Sequence, residues 1–389
     1  MTTVLNLTMP SGQVLPAPAT PHTWIEKATG VYGDPLQAKL MESSVAMAVA
    51  FHRQRPLMQG VATVTTSLTS STWTPLPLAE LCDNVAGHSD VSNVSRWFMP
   101  AAATSNNWWL CTGLVPVNTS SVSTVAIAGL RINGGGVQEG AKIPGGGHNG
   151  ITPMTVDLLQ MTAGDYIELM AYQNSGGSVS TIISGRAATL TLRWACAGTG
   201  TTVALPSTPR TWLAADAITA DSTGGANVPL NLHIRDVIRW LNYPAIAKVT
   251  ASGTTQTIAS GVGTWTSLQM PASTVDNYGM WSSGANTKLT CQRAGLYLVA
   301  GLASIQEGSS NTGYRAARLL HTIAAGGSAT YAGTVSVPAT TSTIGTAIQV
   351  VHLIRMAVND TVELQASHNQ GSSLNAGTAS RLIAVWRSL

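Results

Sequence analysis

Long regions of this chain are β-patterned, and in two matching segments apolar and polar residues alternate with a period of two, the mark of half-buried β-strands. In Ala163-Gly164-Asp165-Tyr166-Ile167-Glu168-Leu169 a turn leads into such a strand, with Ile167, Leu169 and Ala171 on one face. Val358-Asn359-Asp360-Thr361-Val362-Glu363-Leu364 repeats the design, with Val362, Leu364 and Ala366 on one face. The other faces differ: Tyr166, Glu168, Met170 and Tyr172 in the first, Thr361, Glu363, Gln365 and Ser367 in the second. A strand apolar on both faces is covered on both. The first copy is therefore expected to make the larger subunit contact, through Tyr166, Met170 and Tyr172, with Tyr297 as the candidate in the second copy.

Two stretches break the alternation with a helical period. Asp34-Pro35 is a helix start, and Leu36, Leu40, Met47 and Phe51 follow on one side until Pro56 stops the run. Downstream, Leu230, Ile234, Val237, Ile238 and Leu241 form a stripe, with Arg235, Asp236 and Arg239 opposite and Pro244 as the stop. Each stripe has to be buried, against its own β domain or against a neighbouring subunit.

These elements come in the same order twice. Thr20-Pro21-His22-Thr23-Trp24-Ile25 and Thr208-Pro209-Arg210-Thr211-Trp212-Leu213 lie 188 residues apart (212 − 24) and each precedes a helix, a proline and a Thr-Trp-Thr strand. Trp73 and Trp265 mark those strands, and Asp83-Asn84 and Asp276-Asn277 follow as turn chemistry. Trp108-Trp109-Leu110-Cys111-Thr112-Gly113-Leu114 matches Leu296-Tyr297-Leu298-Val299-Ala300-Gly301-Leu302, and each copy closes on a strand ending in Trp194 or Trp386. The pattern predicts an all-β chain: two tandem antiparallel sandwiches, each preceded by a short α-helix. Its expected segments are an extended arm over 1–20, a helical linker over 21–58, a β domain over 59–200, a second helical linker over 201–247 and a second β domain over 248–389.

Composition narrows the partners. Only 10% of the 389 residues are charged while 44% are hydrophobic, so the chain can build cores and its low surface charge points to burial against other chains. The net charge of +3 is spread singly, without Lys/Arg runs, so neither nucleic acid nor an anionic membrane is an expected partner. The apolar block Val45–Phe51 is far too short to insert in a membrane, and residues 1–20 lack the pattern of a secretory signal. Cys82, Cys111, Cys196 and Cys291 show no CxxC spacing and read as free thiols of a reducing cytosol.

Leu289-Thr290-Cys291-Gln292-Arg293-Ala294-Gly295-Leu296-Tyr297-Leu298-Val299, then Tyr314-Arg315, then Asn359-Asp360-Thr361-Val362-Glu363-Leu364, resembles the trimeric jelly-roll superfamily of the complement globular head and tumour necrosis factor. The stretch from Trp212 through Leu232-His233-Ile234-Arg235-Asp236, Tyr243-Pro244 and Trp265 to Asp276-Asn277-Tyr278-Gly279-Met280-Trp281 is similar to minor tail proteins of long-tailed phages of actinobacteria. The first copy departs from the pattern at Trp108-Trp109 and lacks the preceding Cys-Gln-Arg. The resemblance implies jelly-roll sandwiches, a homotrimer, other virion proteins as partners, and a place in the virion tail after assembly in the bacterial cytoplasm.

Candidate chemistry is sparse. Cleaving a glycan needs two carboxylates facing one another across a cleft. The nearest pairs, Asp165/Glu168 and Asp360/Glu363, are three apart on a strand and point to opposite faces. His52, His88, His148 and His368 lack metal-ligand spacing, and no GxSxG elbow occurs. Asn133-Gly134-Gly135-Gly136 and Gly145-Gly146-Gly147-His148 lack the strand–loop–helix setting of a phosphate cradle and read as turns. No cofactor, metal or catalytic residue is expected. Tyr278 and Trp281 have two readings: a loop surface that stacks on a host-surface glycan or anchors a partner, or a plug on the β domain. The expected function is a non-enzymatic, trimeric minor tail protein of the tail tip or fibre, with a contribution to host attachment. The alternatives are a capsid head fibre or decoration protein and, in another class, a tail-associated glycan-degrading enzyme.

Overall fold

The chain folds as two antiparallel jelly-roll sandwiches of identical strand order. The computed structural model describes residues 56–83, 92–99, 106–119, 124–145, 150–182, 186–198, 236–253, 256–307, 312–339 and 345–388. The arm over 1–20, the helix expected over 34–54 and both Thr-Pro-x-Thr-Trp stretches lie outside the described residues.

The first sandwich contains β1 (Leu57–Val61), β2 (Ala79–Asp83), β3 (Asn107–Leu114), β4 (Val125–Ile132), β5 (Gln138–Pro144), β6 (Met154–Met161), β7 (Tyr166–Gln173) and β8 (Thr189–Cys196). After the short helix α1 (Asp236–Asn242) the second contains β9 (Ile246–Thr250), β10 (Ala272–Asp276), β11 (Gly295–Ile305), β12 (Tyr314–Thr322), β13 (Ala329–Pro338), β14 (Thr346–Met356), β15 (Thr361–His368) and β16 (Arg381–Ser388). The front sheet of the first runs β2-β1-β8-β3-β6 and that of the second β10-β9-β16-β11-β14. The back sheets run β7-β4-β5 and β15-β12-β13, each extended at its first strand by two short strands. Strand n thus corresponds to strand n + 8 throughout, as a duplicated module requires.

The copies agree in detail. Trp109 pairs with Trp194 in the first sheet, and Tyr297 with Trp386 in the second. Leu68 O accepts Gln173 Nε2 at 2.8 Å, and Ile258 O bonds His368 Nε2 at 2.9 Å in the corresponding place. A Cβ at Gly113 would meet Leu169 Cδ1 at 2.5 Å, and one at Gly301 would meet Leu364 Cδ1 at 2.6 Å. Both strands pass so close under a core leucine that no side chain fits.

Alternation decides what fills each sandwich. Ile167, Leu169 and Ala171 enter the first core, and Val362, Leu364 and Ala366 the second. The turns ahead of β7 and β15 are held by Asp165, which accepts Thr162 N–H at 2.7 Å, and Asp360, which accepts Ala357 N–H at 2.8 Å. The residue before each aspartate takes a positive φ, Gly164 at 85° and Asn359 at 72°. Helix α1 packs on its own β domain: Trp240 enters the second core, its ring 5.3 Å from Trp386 and 5.2 Å from Tyr278. Of the expected stripe, Ile238 is buried and Leu241 packs against that core, Val237 is half-buried, and Leu230 and Ile234 lie outside the described residues.

Candidate interaction surface

The two sandwiches meet edge to face. A third apolar cluster joins Trp108, Leu110, Val156, Leu158, Ala195 and Cys196 of the first to Ile246, Ala300, Ile383 and Val385 of the second. The first contributes its β6 edge and the adjoining ends of β3 and β8; the second contributes the outward face of its front sheet. These residues occupy the strand parity opposite to the cores, so the same alternation that fills a sandwich also supplies a second apolar face. A bridge between Ala347 and Lys142 links β14 to β5 beside this cluster.

Charge is placed inside this contact. Asp157 on β6 is fully buried, and Lys248 Nζ on β9 lies 2.6 Å from its Oδ1. Arg381 Nε on β16 approaches Asp157 Oδ2 at 3.5 Å. The remaining donors find carbonyls of the first sandwich: Lys248 Nζ donates to Leu158 O at 3.2 Å and Arg381 Nη1 to Glu139 O at 2.9 Å. Two cations from one sandwich therefore close on one carboxylate of the other, so pairing and register are set together. Cys111 lies in the first core near this group; burial pushes its thiol well up, and Asp157 adds to the shift. Beside the contact opens a cleft of about 590 Å³, lined by Gln138, Glu139, Lys248, Thr250, Thr378 and Arg381 among others.

None of the four residues expected to line a subunit contact lies in this cluster. Tyr166 stands on the back sheet, its ring 5.5 Å from Phe98 with the Arg96 guanidinium 4.6 Å away. Tyr172 packs 5.3 Å from Trp73. Met170, fully buried, pairs with Gly129, over which Val137 and Trp73 close. Met170 is thus covered from within its own chain, which corrects its reading as a subunit contact, while Tyr166 and Tyr172 are half-buried. Tyr297 is likewise corrected: it is fully buried in the second core, where its hydroxyl donates to Arg293 O at 2.6 Å.

Of the two readings of Tyr278 and Trp281, the geometry is that of a plug. Both pack against the second core, and Trp281 Nε1 donates to Met270 O at 2.9 Å. Asp276 holds the loop by accepting Met280 and Trp281 N–H, each at 2.8 Å. The acid pairs also have structural partners. Glu168 is buried 2.7 Å from Arg131, Glu363 accepts a hydrogen bond from Ser267, and Asp165 and Asp360 hold their turns. His368 is buried on Ile258 O, while His52, His88 and His148 lie outside the described residues. Among the described residues no three His, Cys, Asp or Glu side chains gather to hold a metal, and none of the four cysteines forms a disulfide. No described helix is long and apolar enough to cross a membrane.

Sequence reasoning missed the Asp157–Lys248–Arg381 group. Its signal was three lone charges on otherwise apolar strands, at Val156-Asp157-Leu158, Ala247-Lys248-Val249 and Arg381-Leu382-Ile383. A charge in such a setting is stable only when paired.

The chain is, by strand order, a tandem jelly-roll protein. No protein-family model matches it and no curated protein does. Among solved structures it is similar to the globular domain of zebrafish complement 1qA protein, at 12% identity and a TM-score of 0.27, over 36% of this chain and 96% of that one. It is also similar to murine APRIL, at 8% identity and a TM-score of 0.27, over 36% of this chain and 98% of that one.

Proposed function

We propose that this chain is a non-enzymatic structural protein of a bacteriophage particle, a trimeric minor tail protein of the tip or fibre that contributes to host-surface attachment. The observation that carries the proposal is the apolar front-sheet face of the second sandwich, sealed by a like module through the buried Asp157–Lys248–Arg381 group. A module that buries its broad face against its own kind is suited to building a larger assembly, and a chain with 10% charged residues gains solubility by doing so. The tail assignment draws on the likeness of the Trp212–Trp281 stretch to minor tail proteins, and the trimer on the likeness to the jelly-roll superfamily.

Antibody labelling of the assembled particle tests the placement. Label at the tail end is the expected result, and label on the capsid faces would replace it by the head-fibre reading. Purified chain should bind host cells without releasing sugar from their envelope. Sugar release would favour the degrading enzyme instead.

A further inference from the structure

The duplication makes the outer faces of the two back sheets comparable position by position. Met170 pairs with Gly129 and Pro75, and Gln365 pairs with Arg318 and Ser267, so Trp73 and Trp265 stand in corresponding places. In the first sandwich this place is closed. Met170 is fully buried, Trp73 lies 5.3 Å from the Tyr172 ring, and a Cβ on Gly129 would stand 3.1 Å from Trp73. In the second sandwich Arg318 replaces the glycine and Gln365 the methionine, and the place is open. The Arg318 guanidinium lies 4.1 Å from the centre of the Trp265 ring and 3.8 Å from that of Tyr331 on β13. Tyr331 is 62% exposed and Trp265 half-buried. Arg318 Nε donates to Gln365 Oε1 at 2.8 Å, Gln365 Nε2 donates to Ser267 Oγ at 3.0 Å, and Ser267 donates to Glu363. This chain of hydrogen bonds fixes the guanidinium, and the guanidinium in turn holds both rings.

We infer that the Trp265–Arg318–Tyr331 platform is a glycan-binding site that takes a pyranose residue of a host-surface polysaccharide. This deepens the attachment reading above and rests on it. Three features select a sugar. A pyranose has an apolar C–H face rimmed by hydroxyls, and an aromatic ring beside fixed polar groups matches both parts of it. Arg318 bonds Gln365 and Tyr331, which leaves further N–H donors for sugar hydroxyls, while Glu363 and Gln365 supply acceptors. Around the rings, β13 shows solvent the small hydroxyl residues Thr330, Thr334 and Ser336, where a protein partner would need an apolar patch. Charge argues against a polyanion, because Glu363 sits directly opposite Lys288 and near Arg318, so the face is of mixed sign. Rings already held by Arg318 have little freedom to lose when a ligand stacks on them.

The test is isothermal titration of the full chain with polysaccharide extracted from the host envelope, for the parent, Tyr331→Ala, Tyr331→Trp, Arg318→Ala and Tyr166→Ala. Tyr331 is mostly exposed, so its replacement should leave the urea midpoint unchanged, and Tyr331→Ala is the deciding variant. The expected result is that the parent binds and that Tyr331→Ala and Arg318→Ala bind about tenfold more weakly. Tyr331→Trp keeps a stacking ring and should retain binding. Tyr166→Ala, which removes a similar ring–arginine contact from the first sandwich, should bind like the parent. Equal binding by the parent and Tyr331→Ala overturns this site and leaves the attachment reading standing. So does a parent that binds whole host cells but not their polysaccharide. A parent that binds neither overturns both.

Discussion

Asp157→Asn is the change that most directly probes how the halves are joined. Asp157 is fully buried with Lys248 Nζ at 2.6 Å and Arg381 Nε at 3.5 Å. At an effective dielectric of about 20, the nearer pair represents roughly 6 kcal/mol of gross Coulomb attraction. Most of that offsets the cost of removing three charges from water, so the group as a whole adds little net stability. Removing one side is different. The amide leaves two buried cations without a counter-charge, at a cost of about 3–5 kcal/mol. In scanning calorimetry that corresponds to a fall in midpoint on the order of 10 °C for a unit of this size. Since carboxylate and cations belong to different sandwiches, the loss falls on the joint, and one transition should split into two. Replacing all three together, Asp157→Leu with Lys248→Met and Arg381→Met, should leave the midpoint unchanged or raise it. An Asp157→Asn protein within about 1 kcal/mol of the parent, still melting in one step, would refute the assignment of this group as the joint.

Further outcomes follow from the same geometry. Trp240→Ala should cost about 3–5 kcal/mol in urea unfolding, because it opens a cavity beside Trp386, and Tyr278→Ala should cost less. Tyr166→Asp should leave the assembled mass unchanged while losing about 1 kcal/mol of stability, since its ring packs on Phe98 and Arg96; dissociation would restore it as a contact residue. Burial raises the Asp360 pKa, but N–H groups of Ala324 and Ala357 and the His321 side chain outweigh it, holding the carboxyl below 3.8. A depressed folded-state pKa contributes stability that is complete above 3.8 and is lost as pH falls through the lower folded value. Asp360→Asn should therefore flatten stability below that point, as measured by urea melts from about pH 5 to about pH 2. A slope unchanged from the parent would contradict it.

The fold was legible because its evidence is local or periodic. Ile167, Leu169 and Ala171 point inward by period alone, and the turn chemistry of Asp165, Asp276 and Asp360 lies within a few residues of each aspartate. The correspondence of Trp109 with Tyr297 needed only the spacing of the copies. What covers a face was not legible. Period two states that Met170 and Tyr172 stand opposite the core, but the covering Trp73 lies about a hundred residues away in sequence and reaches them only through the fold. Tyr297 was misplaced for a related reason: its alternation with Leu296 and Leu298 is apolar on both parities, so pattern could not say which side faced the core. The joint was hidden because its three charges are scattered over the chain and gain meaning only as neighbours.

The thiols supply a built-in reporter of whether the halves stay closed. Cys82 is exposed on the rim strand β2, whereas Cys196 is sealed in the cluster between the sandwiches. A water-soluble thiol reagent should modify Cys82 at once, and Cys196 only at the rate at which the two modules part. Its labelling kinetics would time that opening in an unmodified protein.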